Sequence, residues 1–316
     1  MLRFLIRRLL GLVATVFCAA IVVFVLLEIL PGDPAATMLG ISATPETIAA
    51  LRAELGLDAP ALLRFRDWSL GLFTGDLGIS YTYRVPVAGL MAERMVVTLP
   101  LAFLSLVIAA STGILLGTIA AARANSRIDA VVMMLSQLGL AIPNFWFGIL
   151  FVLLFSITLG WLPSGGFPGW GGGIGGALRA LILPAFALAL PQAAVIARIT
   201  RSSVIETLGE DFIRTARAKG LTRGQTLRFH ALRNALIPVL TLLGLQFSYL
   251  VAGTIIVENV FALPGLGRLL VQAIGGHDLI LIKNLVLFFV AAAVTINALV
   301  DIAYGFADPR LKVGQR

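Results

Sequence analysis

The sequence predicts an all-α protein that crosses a membrane six times. Three observations predict it. Of the 316 residues, 59% are hydrophobic and only 13% are charged, about half the charge fraction of a soluble domain. The mean hydropathy is +0.98, and the apolar runs reach about twenty residues, the length that spans a hydrocarbon core. Between these runs, Lys and Arg gather on alternate connections, as they do where short loops stay on one side of a bilayer.

The first run, 9–30, follows the basic start Met1-Leu2-Arg3 and is about 22 residues long, beyond the roughly 7–15 of a signal-peptide core. No small-residue cleavage pattern ends it, so an uncleaved anchor is expected, forming with the tail a segment 1–30. Cys18 lies inside it and has no second cysteine with which to pair. It reads as a small packing or lipid-facing residue. The further spans are 96–122, 131–159, 180–199, 236–257 and 285–306. Residues 31–95 are polar, of mixed charge and punctuated by Pro31, Pro34, Pro45, Pro60 and Pro86. Within them Thr44, Pro45 and Thr47 predict an amphipathic helix running to Leu57, with Thr44 as cap and proline in the first turn. A small ordered lobe is expected over 31–95. The eight glycines between Gly165 and Gly176 lack the order of a phosphate-binding loop and read as a flexible connector.

Charge placement sets the expected topology. Arg3, Arg7 and Arg8 precede the first span, Arg123 and Arg127 follow the second, and Arg310, Lys312 and Arg316 close the chain. These share a side with the basic segment around Arg214 to Arg233. Both termini and that segment are therefore expected in the cytoplasm. In a membrane protein a net charge of +8 needs no nucleic-acid partner; it is loop charge.

The segment from Glu210 to Pro238, EDFIRTARAKGLTRGQTLRFHALRNALIP, is polar and helix-forming between two apolar runs. Thr207 and Glu210 have the spacing of a capping box, as do Thr222 and Gln225. Gly220 stands between them as a helix stop. The pattern predicts a helix, a glycine stop and a second capped helix meeting at an angle, spanning 207–236. Phe212, Ala216 and Gly220 recur at helical spacing, one large residue and two small, so another surface can approach closely. Arg214, Arg217 and Lys219 point elsewhere, toward water, phosphate or acidic groups. An amphipathic helix lying on the membrane explains the same spacing.

Six polar side chains fall in or near the spans. Glu28 and Asp301 stand near span ends, where reaching the interface is inexpensive. Asn144, Gln192, Gln246 and Asn297 lie deeper, and either bond between helices or line a wet passage. Pro143, Pro184, Pro191 and Pro238 interrupt helices, which lipid tolerates only where protein or water satisfies the freed carbonyls. An enzyme has little support: His230 and His277 lack a nucleophile nearby in sequence, and no metal-ligand spacing is present.

The Ala216-x-x-x-Gly220 spacing, followed by a second helix, resembles the EAA loop of ATP-binding-cassette importer permeases. Arg214 stands at that pattern's acidic position, Thr215 replaces an alanine, and His230 and Arg233 replace an isoleucine and a first proline; Pro238 matches the second. Those departures suit the peptide and nickel branch. Five other blocks agree in order: Pro31-Gly32-Asp33-Pro34, Gly75 to Ser80, Ala141 to Trp146, Glu258 to Gly267, and Asp308-Pro309-Arg310. Together they resemble the first permease subunit of dipeptide and oligopeptide importers. The resemblance implies a type I importer fold with a permease core over 96–306 and a cytoplasmic tail at 307–316, set in a bacterial inner membrane. It implies as partners a paralogous permease, two cytoplasmic ATPases docking on Glu210, Phe212, Arg214, Ala216, Arg217, Lys219 and Gly220, and an extracytoplasmic solute-binding protein meeting residues 31–95 and the loop at Glu258. No Walker motif is present, so ATP hydrolysis would belong to the ATPases, and no cofactor is expected. A nickel or glutathione importer, or a self-standing secondary transporter, would share much of this pattern.

Overall fold

The computed structural model describes residues 2–29 and 33–307. Pro31 and Gly32 of the first shared block, and the tail with Arg310, Lys312 and Arg316, lie outside the described residues, as do the side chains of Arg3 and Asp301. Among the described residues the only strand pairing is an isolated bridge, Ile79 with Pro86. The helices are α1 (Leu2–Ile29), α2 (Pro34–Leu39), α3 (Pro45–Glu54), α4 (Ala61–Thr74), α5 (Val87–Ala122), α6 (Arg127–Ala141), α7 (Asn144–Phe151), α8 (Ile174–Leu208), α9 (Asp211–Ala218), α10 (Arg223–Thr226), α11 (Leu232–Val260), α12 (Leu266–Gly275) and α13 (Leu279–Ala307).

Five of these runs are long and apolar enough to cross a membrane unbroken: α1, α5, α8, the continuous stretch Arg223–Val260, and α13. The expected span 131–159 is not straight. It is α6 and the helical run Asn144–Thr158 that begins with α7, bent by 99°. The cause is local. Pro143 has no N–H to offer and disfavours helical torsions at Ile142, whose ψ is 124°. Pro100, Pro184 and Pro191 lie inside α5 and α8 without ending them.

The chain forms two compact units. The first comprises residues 1–99 and 263–298. Trp68 of α4 packs against Ala20 of α1 and Leu287 of α13, and Phe24 meets Phe65 edge-on at 5.2 Å. The indole Nε1 donates to Asn284 Oδ1 at 3.0 Å. Asn284 Nδ2 donates to the Leu77 carbonyl at 2.8 Å, which holds the Gly75–Ser80 block on α13. Asp278 caps α13: its carboxylate accepts from Leu281 N at 3.1 Å, Ser80 Oγ at 2.5 Å and Thr82 N at 3.0 Å. Beside it Tyr81 is buried, and its phenol is pushed up to about 12 by burial and then by the Asp278 charge, against the opposing pull of Arg64. Residues 31–95 are less polar in space than in sequence, because α4 exposes Leu62, Leu70 and Phe73. The expected cap of α3 is present: Thr47 N donates to Thr44 Oγ1 and Thr44 N to Thr47 Oγ1.

The second unit comprises residues 100–262 with 299–316. Its centre is α8, whose Ala-rich length is buried on most sides. Small residues set the spacing. A Cβ on Gly117 would stand 2.4 Å from the Ala197 carbonyl oxygen, and one on Gly113 2.7 Å from Ile196 Cβ. Without a solvent to exclude, helices in lipid associate by such close packing and by polar bonds. The glycine-rich connector is fixed at its start. Gly166 N donates to the Phe261 carbonyl at 2.8 Å, and a Cβ on Gly165 would lie 2.4 Å from the same oxygen.

Candidate functional site

The segment expected to dock forms an elbow at the end of α8. That helix runs on to Leu208, so Thr207 is internal and donates to the Ser203 carbonyl at 2.7 Å. The expected Thr207–Glu210 capping box is therefore absent. Glu210 instead starts α9 with extended backbone and no side-chain cap. Asp211 in the first turn and Arg217 in the last each suit the helix dipole.

Gly220 ends α9 at φ +89°, a torsion that strains any residue carrying a Cβ. Gly220 N donates to the Arg217 carbonyl at 3.0 Å and Leu221 N to the Ala216 carbonyl at 3.4 Å, the paired bonds of a Schellman stop. Thr222 then caps α10: Gln225 N donates to Thr222 Oγ1 at 3.3 Å and Thr222 N to Gln225 Oε1 at 3.0 Å. The second arm is not a separate helix. A wide turn over Leu227–Ala231 carries α10 into α11 as one run.

The faces of α9 differ from the expected stripe. Ile213 and Ala216 are buried, while Phe212 and Gly220 are exposed. Ala216 therefore anchors the elbow to its own chain. The outward set is Phe212, Thr215 and Lys219, with Glu210, Arg214 and Arg217 beside it. Arg214 pairs with Asp211 at 3.2 Å, both strongly exposed, and such a pair contributes little. Beneath the elbow, Ala121, Val204 and Ala235 form a small core with Leu208, Leu227 and Leu232. A cavity of about 310 Å³ lies there, lined by Ile213, Arg217, Arg223 and Thr226. On the second arm Phe229 is also exposed, with the Arg228 guanidinium 5.8 Å from its ring centre. The exposed elbow thus combines basic groups with two aromatic rings.

The four deep polar residues separate. Gln246 Nε2 donates to Gln192 Oε1 at 2.6 Å, joining α11 to α8, and Gln246 is buried. Asn144 stands at the Pro143 break, where a Cβ on Gly253 would lie 3.2 Å from its Nδ2. Asn297 is half-buried in the part of α13 that belongs to the other unit. Glu28 pairs with Arg64 near the end of α1.

One pair escaped the sequence reading. Arg201 of α8 grips Asp129 of α6 through Nε at 2.5 Å and Nη2 at 2.7 Å. Asp129 Oδ2 also accepts from Asn125 N at 2.8 Å. A local signal was present, since Ser126 with Asp129 has helix-start spacing and Ser126 does cap α6. Its distant partner left no such mark. His277 sits on a turn at φ +54°, and Asp278 is committed to its cap. Among the described residues no three of His, Cys, Asp and Glu gather to hold a metal.

Comparison with known proteins identifies the family. Residues 113–313 match the family described as binding-protein-dependent transport system inner membrane component, and residues 1–102 match its N-terminal companion. The chain belongs to this family. It is 46% identical over 308 residues to a putative peptide transport system permease protein of Brucella abortus, covering 98% of each chain. It is 41% identical over 312 residues to the glutathione transport system permease protein GsiC of Escherichia coli, covering 99% of each. Among solved structures it resembles the MetNI methionine ABC transporter, with TM-score 0.58 over 69% of this chain and 96% of that one, at 19% identity. That likeness concerns the fold alone. The chain is thus a multi-pass inner-membrane permease component of an ATP-binding-cassette importer, which works with ATPase and substrate-binding partners.

Proposed function

We propose that this permease carries peptides inward and takes its drive from ATPases seated on the elbow at 207–236. The single observation that carries the docking reading is the elbow's construction. A glycine-stopped helix and a capped second arm hold Phe212, Arg214, Lys219 and Phe229 outward on a small buried core. Exposed rings among cations suit a groove that is apolar at its centre and acidic at its rim. The peptide reading rests on the peptide permeases among the relatives; glutathione, carried by the GsiC relatives, is itself a small peptide.

In this reading both termini and the elbow face the cytoplasm, and a solute-binding protein meets residues 31–95 on the other side. A paralogous permease completes the path, and the chain hydrolyses no ATP itself. Asn144, Gln192, Gln246 and Asn297 remain the candidate path residues. Of these, Gln192 and Gln246 bond α8 to α11 and serve helix packing in this conformation, with Gln246 buried.

The test uses the assembled importer. Gly220→Trp strains the stop and adds bulk to the exposed tip, whereas Phe212→Ala removes an exposed ring without touching the buried face. Both variants are expected to insert in the membrane and lose ATPase co-purification and uptake of labelled dipeptide. Full ATPase complement and normal uptake in both would end the docking proposal. Robust ATP-dependent uptake of nickel but of no peptide would end the substrate proposal alone.

A further inference from the structure

The first unit contains a cavity of about 410 Å³ between the end of α1, α4 and the start of α13. Its wall is of two kinds. Phe24, Leu27 and Ile280 are apolar; Glu28, Arg64, Asp67, Asp76 and Lys283 are charged. Most of these charges are already engaged. Arg64 pairs with Glu28 and donates to the Ala59 carbonyl, Asp76 accepts from Gly78 N, and Asp67 pairs with Arg66. Lys283 differs. Its ammonium lies 5.0 Å from the centre of the Trp68 ring, and among the described residues no oxygen accepts a hydrogen bond from it. A half-buried ammonium without an acceptor leaves part of its desolvation uncompensated.

The location narrows the guest. Glu28 is the next-to-last residue of α1, and Lys283 is in the first turns of α13. Trp68 clamps the two membrane-crossing helices together below them. The cavity therefore lies where two spans end, at headgroup depth. A guest arriving from the bilayer brings apolar chains for Phe24, Leu27 and Ile280, and a head for the charges. Lys283 calls for an anion, while Glu28, Asp67 and Asp76 favour a compact cation that can donate hydrogen bonds.

The geometry points to a binding site for one phosphatidylethanolamine molecule, its phosphate on Lys283 and its primary ammonium toward the carboxylates. A choline head cannot donate hydrogen bonds there, and a glycerol head brings no cation. The proposal rests on the membrane placement of the chain and not on which substrate is carried.

Native mass spectrometry of the full chain, released from nanodiscs made with phosphatidylethanolamine, phosphatidylglycerol or phosphatidylcholine, reads the site. One ethanolamine lipid per chain is expected to survive delipidation. Its retention should fall about tenfold in Lys283→Met, the size of one charge-assisted hydrogen bond, and measurably in Asp67→Asn. Equal retention of all three lipids, or undiminished retention in Lys283→Met, overturns the proposal. So does displacement of the bound molecule by millimolar dialanine, which would assign the cavity to a free zwitterion. If Lys283→Met is not recovered, Asp67→Asn decides, because that carboxylate is exposed and holds only its neighbour Arg66; unchanged retention there refutes the site.

Discussion

Arg201→Met should be among the most damaging single substitutions in the second unit. The guanidinium engages both oxygens of Asp129, whose side chain is only 6% exposed, while Arg201 itself is 26% exposed. Removing the arginine leaves a carboxylate with one remaining donor, Asn125 N. Breaking a buried ion pair from one side costs about 3–5 kcal/mol, because the surviving charge stays desolvated. Water reaches this site along the partly exposed arginine, so the lower end applies, about 3 kcal/mol, or roughly a hundredfold in the folding equilibrium. The double variant Asp129→Asn with Arg201→Met has no orphaned charge, and its amide oxygen can still accept from Asn125 N. It should recover about 2 kcal/mol of that loss. Detergent-induced unfolding followed by circular dichroism, run as a double-mutant cycle, gives the coupling energy. A coupling below about 0.5 kcal/mol would place the pair with ordinary surface salt bridges and refute the reasoning.

Other expectations follow from the packing and the elbow. Gly117→Ala should destabilise by about 1–3 kcal/mol, since its Cβ would meet the Ala197 carbonyl at 2.4 Å, while Gly175→Ala, with open space around it, should be neutral or slightly stabilising in the same unfolding assay. The raised Tyr81 phenol, at about 12, favours the protonated form in the folded state. Stability should therefore be unaffected below the unfolded value near 10 and decline as pH rises from there through about 12. Tyr81→Phe should abolish that part of the decline, and an identical pH profile in the variant would contradict the assignment. Deleting His230 from the wide turn Leu227–Ala231 should restore ordinary helix and rotate the elbow by about 100° around α11. ATP hydrolysis should then persist without uptake; normal uptake would show that the elbow's orientation does not matter.

Much of this was legible before any coordinates, and the reasons are physical. Span length is a property of the chain against a bilayer, so the length of the apolar runs reveals it without knowledge of contacts. Gly220 and the Thr222–Gln225 box were equally plain, because a stop and a cap are local devices using residues two or three apart. The Thr207–Glu210 box failed because α8 had enough helical propensity to run past Thr207, whose hydroxyl then bonded inside the helix. Ala216 faces inward because it shares an apolar stripe with Ile213, three residues earlier, and the Phe212–Ala216–Gly220 spacing does not include that residue. The bend at Pro143 needed only the rule for residues before proline, but apolar length alone made 131–159 read as one span. The Asp129–Arg201 grip and the Trp68–Asn284 bond join residues 72 and 216 positions apart. No local pattern encodes such pairings.

The elbow's construction also bears on how force would enter the membrane. A separate surface helix tethered by flexible links would absorb a push from outside. Here neither side is flexible in kind. The first arm follows α8 after the short turn Gly209–Glu210, whose N–H groups donate to the Glu206 and Thr207 carbonyls, and its buried face, Ile213 and Ala216, is held by the chain itself. The second arm passes into α11 without a break. A displacement of the exposed tip must therefore appear at the ends of α8 and α11 together. Those two helices are also bonded deeper, by Gln246 and Gln192, and α8 is closely packed by small residues on α5. Such packing favours movement as a body over bending within it. Compliance then concentrates at the Pro143 break between α6 and α7, where the helix is already bent by 99°. The break between α6 and α7, and not the packed helices on either side, is thus where such a displacement costs least.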